Sequence, residues 1–146
     1  MPDTFVESYR ARWVDMDFNQ HMRNAAFLGC AEETRLRFME SRGFSADELK
    51  RQQIGPVVLE DKLVYKREIA LLESFSVDIA VAAATADGRR LRVRNRFHKV
   101  DGTLCATVES VVLWFDLAER RPVLPPDALR EIWATVVRTD DYEVWT

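Results

Sequence analysis

The sequence predicts an α+β domain in which a curved antiparallel sheet of about five strands wraps around one long central helix. Three observations carry this expectation. Only one segment, roughly residues 24–42, is both long and helical in pattern, and its first half is apolar nearly all round. From Val57 onward the apolar period drops from that of a helix to two. Short glycine-containing turns then separate consecutive strands, so that neighbours pair antiparallel.

The 146 residues suit one domain, residues 1–146, with enough chain to bury a core without cross-links. A composition that is 47% hydrophobic and 31% charged is that of a folded globular chain. The formal net charge of −3 supplies no basic field to draw in nucleic acid. Apolar runs fall far short of the roughly 20 residues that cross a bilayer, so no membrane span is expected. Met1–Ser8 has no basic region followed by an apolar run, so no signal peptide is expected there and a cytoplasmic location follows. Cys30 and Cys105 sit inside apolar stretches without Cys-x-x-Cys spacing and read as reduced, buried thiols.

Taken in order, Phe5 to Trp13 forms a first strand with Phe5, Tyr9 and Trp13 among its large residues. A polar stretch, Asp15 to Arg23, leads into the helix from Asn24 to about Arg42. Ala25, Ala26, Phe27, Leu28, Cys30 and Ala31 make its first half apolar on every side, the pattern of a buried helix. The second half turns amphipathic, with Glu33 and Arg37 at the favourable i,i+4 spacing. Gly43 supplies the stop and Phe44 the apolar residue after it. Ser45-Ala46-Asp47-Glu48 is a capping box, stapled by Phe44 and Leu49, for a short helix ending before Gly55-Pro56.

In the strand block, Phe75, Val77, Ile79, Val81 and Ala83 alternate with smaller or polar residues, and Leu91, Val93, Asn95 and Phe97 alternate with Arg90, Arg92, Arg94, Arg96 and His98. A three-residue loop, Ala86-Asp87-Gly88, pairs the two apolar faces and sets Asp78 opposite Arg96, whereas a two-residue loop would turn the arginines into the core. Val100-Asp101-Gly102-Thr103 reads as a two-residue hairpin that sets Arg94 opposite Glu109. The last strand runs to about Asp116. Pro125-Pro126-Asp127 then opens a short helix ending near Trp133, and a tail follows.

The run Arg12-Trp13-Val14-Asp15-Met16-Asp17-Phe18-Asn19-Gln20-His21-Met22-Arg23-Asn24-Ala25-Ala26-Phe27-Leu28 resembles the signature of the 4-hydroxybenzoyl-CoA thioesterase-like family, whose fold is the hotdog. Its acyl-CoA thioesterase members carry Asp-x-Asp-x-x-Gly-His-hydrophobic-Asn-Asn-x-x-Tyr between the first strand and the central helix. Asp15, Asp17, His21 and Asn24 match that pattern outright. Tyr65-Lys66-Arg67 resembles the family's Tyr-x-Arg strand element, and Phe115-Asp116 with Arg120-Arg121-Pro122-Val123-Leu124-Pro125 resembles its last strand and exit. Three positions depart from it: Gln20 replaces the glycine, Arg23 the first asparagine and Phe27 the tyrosine. Gln20 bears on the local backbone turn, and Arg23 adds a cation at the mouth of the site.

The resemblance implies hydrolysis of an acyl thioester of coenzyme A or acyl-carrier protein, with Asp17 as nucleophile or general base. It implies no cofactor, coenzyme A entering only as part of the substrate, and a homodimer or homotetramer with the site at the subunit interface. Physical reasoning agrees on the place. Asp17 lies just ahead of a helix whose first amides lack intrahelical partners, and those amides with the helix dipole suit a developing oxyanion. The backbone N–H of Asn24 or a neighbour is the expected oxyanion donor. His21 orients the loop or carries a proton. Arg23, Phe27, Tyr65, Lys66 and Arg67 are the expected substrate-binding residues, and Asp15 is expected to bond loop amides. On residue pattern alone, Asp17 also fits a turn or N-cap carboxylate.

Other chemistries find less in the sequence. No metal-ligand cluster and no Gly-x-Ser-x-Gly elbow is present. Glu32 or Glu33 would replace or assist Asp17 if it faced a cleft; otherwise they form surface ion pairs with Arg35 or Arg37. The arginine row from Arg90 to Arg96 reads as a solvated outer face partly neutralised by Asp78 and Glu109, while some of its members, or Lys66 and Arg67, have the charge to meet coenzyme A phosphates. Two further classes stay open: a hotdog hydratase or dehydratase of enoyl or hydroxyacyl thioesters, and a non-catalytic module that binds acyl groups or a partner protein.

Overall fold

The computed structural model describes residues 2–146. Its strands are β1 (Val6–Arg10), β2 (Ile54–Tyr65), β3 (Ser74–Asp78), β4 (Ala80–Thr85), β5 (Arg90–Lys99), β6 (Leu104–Asp116), β7 (Arg121–Pro122) and β8 (Arg138–Trp145). Its helices are α1 (Asn24–Ser41), α2 (Ala46–Arg51) and α3 (Asp127–Ala134). One 3-10 turn, Trp13–Asp15, follows β1, which ends three residues earlier than the sequence pattern suggests.

All the strands join one sheet. β2 is an outer strand, bonded only to β6; β6 bonds β5; β5 bonds β3 along one half and β4 along the other; β1 lies beyond β3 and β8 beyond β4. The predicted curved antiparallel sheet around a long helix is what the chain forms, and the architecture is the hotdog fold. β8, parallel to β4, corrects the expected tail.

Both predicted registers hold, through turns that differ from those expected. Val77 pairs with Phe97, and Asp78 bonds the Arg96 amide and guanidinium. The expected single strand over residues 74–85 breaks at Ile79, however, and a bulge between Val81 and Ala83 leaves a longer loop than Ala86–Gly88. Arg94 pairs with Glu109 as expected, while a bulge beyond Phe97 and the Lys99–Thr103 bond make that turn one residue longer. Each bulge absorbs one residue of turn and leaves the buried face unchanged, because a one-residue slip would expose it.

Helix α1 lies across the sheet. Phe27 and Ala31 enter one apolar cluster, with Phe75, Val77, Phe97 and Val108. Phe38 and Met39 enter a second, with Trp114, Leu129 and Trp133. The expectation of a first half buried all round is corrected: Ala25 and Gly29 are exposed, and only one stripe is covered. Small residues made that half apolar by composition without making it a core helix. At the start of α2, Ser45 Oγ accepts the Glu48 amide at 3.1 Å as predicted. The Glu48 carboxylate takes Arg51 and Gln52 instead of completing the box.

Candidate active site

A polar loop joins β1 to α1, and Asp15 and Asp17 organise it. Asp15 is buried and accepts the Arg12 amide, Nε and Nη2, each at 3.0 Å, with the guanidinium holding its carboxyl below the usual carboxylate range. Its carbonyl accepts the Arg23 amide at 2.8 Å, which fixes where α1 begins. Asp17 folds the loop tip. Its Oδ1 accepts the Asn19 amide at 2.8 Å and the His21 amide at 3.1 Å, while its own amide donates to His21 O at 2.8 Å. The turn-carboxylate geometry open to Asp17 is therefore formed, and it uses one carboxylate oxygen. Oδ2 takes no part in these bonds.

Gln20 sits at φ 65°, in the left-handed region that favours glycine. This is the position where the family pattern has Gly. The turn survives the substitution, with Gln20 N donating to Asp17 O at 3.1 Å.

The leading amides of α1 are distributed unevenly. Those of Ala26 and Phe27 return to Arg23 O at 3.0 and 3.2 Å, and that of Ala25 reaches Asn24 Oδ1 at 2.7 Å. The amide of Asn24 itself stands at the dipole's positive end without such a partner among the described residues.

Asp17, His21, Arg23, Asn24, Phe27, Tyr65, Lys66 and Arg67 all line one open cleft of about 520 Å³. Phe27 is its buried floor, edge-on to Tyr65 at 5.4 Å and to Phe97 at 5.1 Å between ring centroids. Burial raises the Tyr65 phenol above its ordinary range. His21 Nε2 meets Glu68 Oε2 at 2.7 Å, and Glu68 is a cleft residue that the sequence reading passed over. No motif marks it; only the fold of the segment after β2 brings it to His21. Arg23 donates from Nη2 to Val14 O at 2.6 Å, which ties its guanidinium to the loop. β2 ends at Tyr65, so Lys66 and Arg67 stand in a bend and not on a strand as expected; both amides anchor to Cys105 O, at 2.7 and 3.0 Å.

Other candidates fall elsewhere. Glu33 pairs with Arg37 at 2.5 Å, the predicted surface pair. Glu32 faces a separate cavity. The arginine row is neutralised more fully than expected: Arg94 bonds Glu109 and Asp141, Arg92 bonds Glu143, and Arg90 and Arg92 lie over the Trp145 ring. Among the described residues no group of three or more His, Cys, Asp or Glu side chains converges to hold a metal ion. No helix among them is long and apolar enough to cross a membrane.

A sheet wrapped on α1, with a cleft at the helix N-terminus, defines a hotdog-fold protein. Residues 11–132 match the model of the thioesterase-like superfamily, and the chain belongs to that superfamily. Among solved structures it is similar to a hypothetical protein of Staphylococcus aureus in complex with CoA, with a TM-score of 0.83 and 22% identity over 95% of this chain and 89% of that one. It is also similar to a 1,4-dihydroxy-2-naphthoyl-CoA thioesterase from Synechocystis, with a TM-score of 0.80 and 13% identity over 90% and 96%. A DHNA-CoA thioesterase from Staphylococcus aureus gives 0.80 and 18% over 90% and 89%. At these identities the likeness establishes the fold. No curated protein matches the chain in sequence.

Proposed function

We propose that the protein hydrolyses an acyl-CoA thioester in the cleft at the start of α1. The carrying observation is the cleft itself, where a loop-aimed carboxylate and an unpartnered helix amide line one space. Asp17 Oδ2 acts as nucleophile or as general base toward water. The Asn24 amide and the helix dipole stabilise the oxyanion that forms on the thioester carbonyl. His21, held by Glu68, positions the loop behind Asp17. Arg23, Lys66 and Arg67 give the cleft the cations that coenzyme A phosphates require, and Phe27 with Tyr65 forms its apolar floor. CoA appears in the fold relative from Staphylococcus aureus, and CoA thioesterases stand among the others.

The functional unit in this reading is a homodimer. β2 is a long outer strand with Val58, Leu59 and Tyr65 exposed, and an open edge of this kind recruits another strand. A two-fold axis at the middle of β2 pairs it antiparallel with its copy and brings the Tyr65 end of one chain beside the Pro56 end of the other.

A panel of acyl-CoAs assayed for thiol release, with Asp17→Asn beside the wild type, tests the chemistry. The expected loss in kcat is about 10²–10⁴-fold. Full activity in Asp17→Asn would remove Asp17 from the mechanism. Saturated thioesters left intact while an enoyl-CoA is hydrated would favour the hydratase class.

A further inference from the structure

Between the two apolar clusters, α1 carries a charged residue into the core. Arg35 is 6% exposed. Its Nε donates to Asn95 Oδ1 at 2.8 Å and its Nη2 to Ser110 Oγ at 2.7 Å, and both of those residues are fully buried. These partners are neutral. The carboxylate in the network, Asp61, is one bond further away, accepting from Ser110 Oγ. Burial lowers the Arg35 pKa to about 10, against the pull of Asp61 and Glu32. A guanidinium has five N–H donors, and these two bonds engage two of them. A buried cation bonded directly only to neutral groups, with its carboxylate one bond away, has donors left for a further anionic partner.

Arg35 forms part of the wall of a cavity of about 190 Å³ under α1. Met39, Val93, Val112 and Trp114 make the rest of that wall apolar. Trp133 also lines it. Glu32 and Leu36 stand exposed at the rim, where solvent screens the Glu32 charge. An apolar cavity of about 150 Å³ accommodates benzene, so this one admits a ring or a chain of about five or six carbons and no long fatty chain.

We infer that this cavity takes the far end of a compact acyl group that ends in a carboxylate, and that Arg35 is the residue that selects it. The inference rests on the proposed thioesterase reading and its dimer. Arg35 lies eleven residues along α1 from Asn24, a rise of about 16 Å, too far for a compact acyl group to span within one chain. The β2 pairing closes that gap. Pro56 and Val58 line the cavity, and the two-fold axis sets this end of β2 beside the partner's Tyr65, at the cleft of the other chain. The thioester is held in one subunit's cleft and its acyl end in the other subunit's cavity. A neutral acyl end leaves the remaining guanidinium donors unmatched, which is how a polar site rejects an apolar analogue.

The test is binding of non-hydrolysable thioether analogues of glutaryl-CoA and adipoyl-CoA against those of valeryl-CoA and hexanoyl-CoA, by calorimetry. The wild type binds the carboxylated analogues at least tenfold tighter. Arg35→Gln removes that preference. Leu36→Trp, an exposed substitution that narrows the rim, weakens both kinds. Equal wild-type affinities overturn the inference without any variant being needed, and so does a preference that survives Arg35→Gln. No turnover of any thioester, with the analogue preference intact, overturns the hydrolysis reading and leaves the carboxylate site standing.

Discussion

Replacing Gln20 by glycine is expected to stabilise the protein, and two opposing terms set the size of the effect. Gln20 holds φ 65°, where a β-carbon costs about 1–2 kcal/mol through its approach to the carbonyl oxygen. Glycine removes that strain. It also frees the unfolded chain, which returns about 0.4–1 kcal/mol to the unfolded state. The side chain is exposed, and the bond from Gln20 N to Asp17 O belongs to the backbone, so neither changes the balance. The net gain is on the order of 0.5–1 kcal/mol, or about 1–4 °C in Tm for a chain near this size. Differential scanning calorimetry measures it. Gln20→Ala is the control, because alanine keeps the β-carbon and so the strain. A lower Tm for Gln20→Gly, or an equal rise for Gln20→Ala, would refute the argument that left-handed strain is stored at this turn.

Other expectations follow from the same structure. Phe27→Ala empties the buried floor between Tyr65 and Phe97 and costs about 3–5 kcal/mol, read by chemical denaturation. Asp15 has its folded pKa depressed by Arg12, so its contribution is present above the ordinary carboxylate pKa and is lost as pH falls through the lower folded value. Asp15→Asn therefore flattens the acid limb of the stability–pH curve, and an unchanged limb would show that the pair contributes nothing. Burial raises the Cys30 thiol to about 11, so it reacts with iodoacetamide at pH 8 far more slowly than a free thiol; labelling at the rate of free cysteine contradicts this. Glu143→Gln with Asp141→Asn leaves Arg92 and Arg94 without two of their β8 partners and speeds amide exchange in β8 while leaving β5 protected.

The buried alternation of β3 to β6 was legible because a period of two fixes which face turns inward, and only one register keeps both faces apolar. Turn lengths were less legible, since a bulge exchanges one residue of strand for one of turn at little expense to the core. β8 was not legible. Arg138–Trp145 has no clean alternation, and its partners, the arginines of β5, lie more than forty residues away in sequence. Its ladder partner is β4, and its acidic and aromatic side chains reach the arginines of β5; neither set of contacts lies in a local window. The exposed side of α1 escaped for a related reason. Alanine and glycine read as apolar, yet they cover so little surface that leaving them in water costs little.

Asp17 and its neighbours were legible because one loop carries most of them in a contiguous stretch. Arg35 was not, and the reason is instructive. In sequence, Glu32, Glu33, Arg35 and Arg37 form a mixed-charge cluster, which ordinarily means a solvated helix face. The helical period separates them: Glu33 and Arg37 pair on the surface, while Arg35 follows Ala31 and precedes Phe38 on the buried stripe. A charge on that stripe is tolerated only with polar partners from the sheet. Asn95, set among the apolar positions of β5, is the trace those partners leave in the sequence, because an amide there is costly unless a buried donor meets it. Asn95 and Arg35 thus explain each other. The charge of Arg35 is met at one remove, through Ser110, by the Asp61 carboxylate on β2.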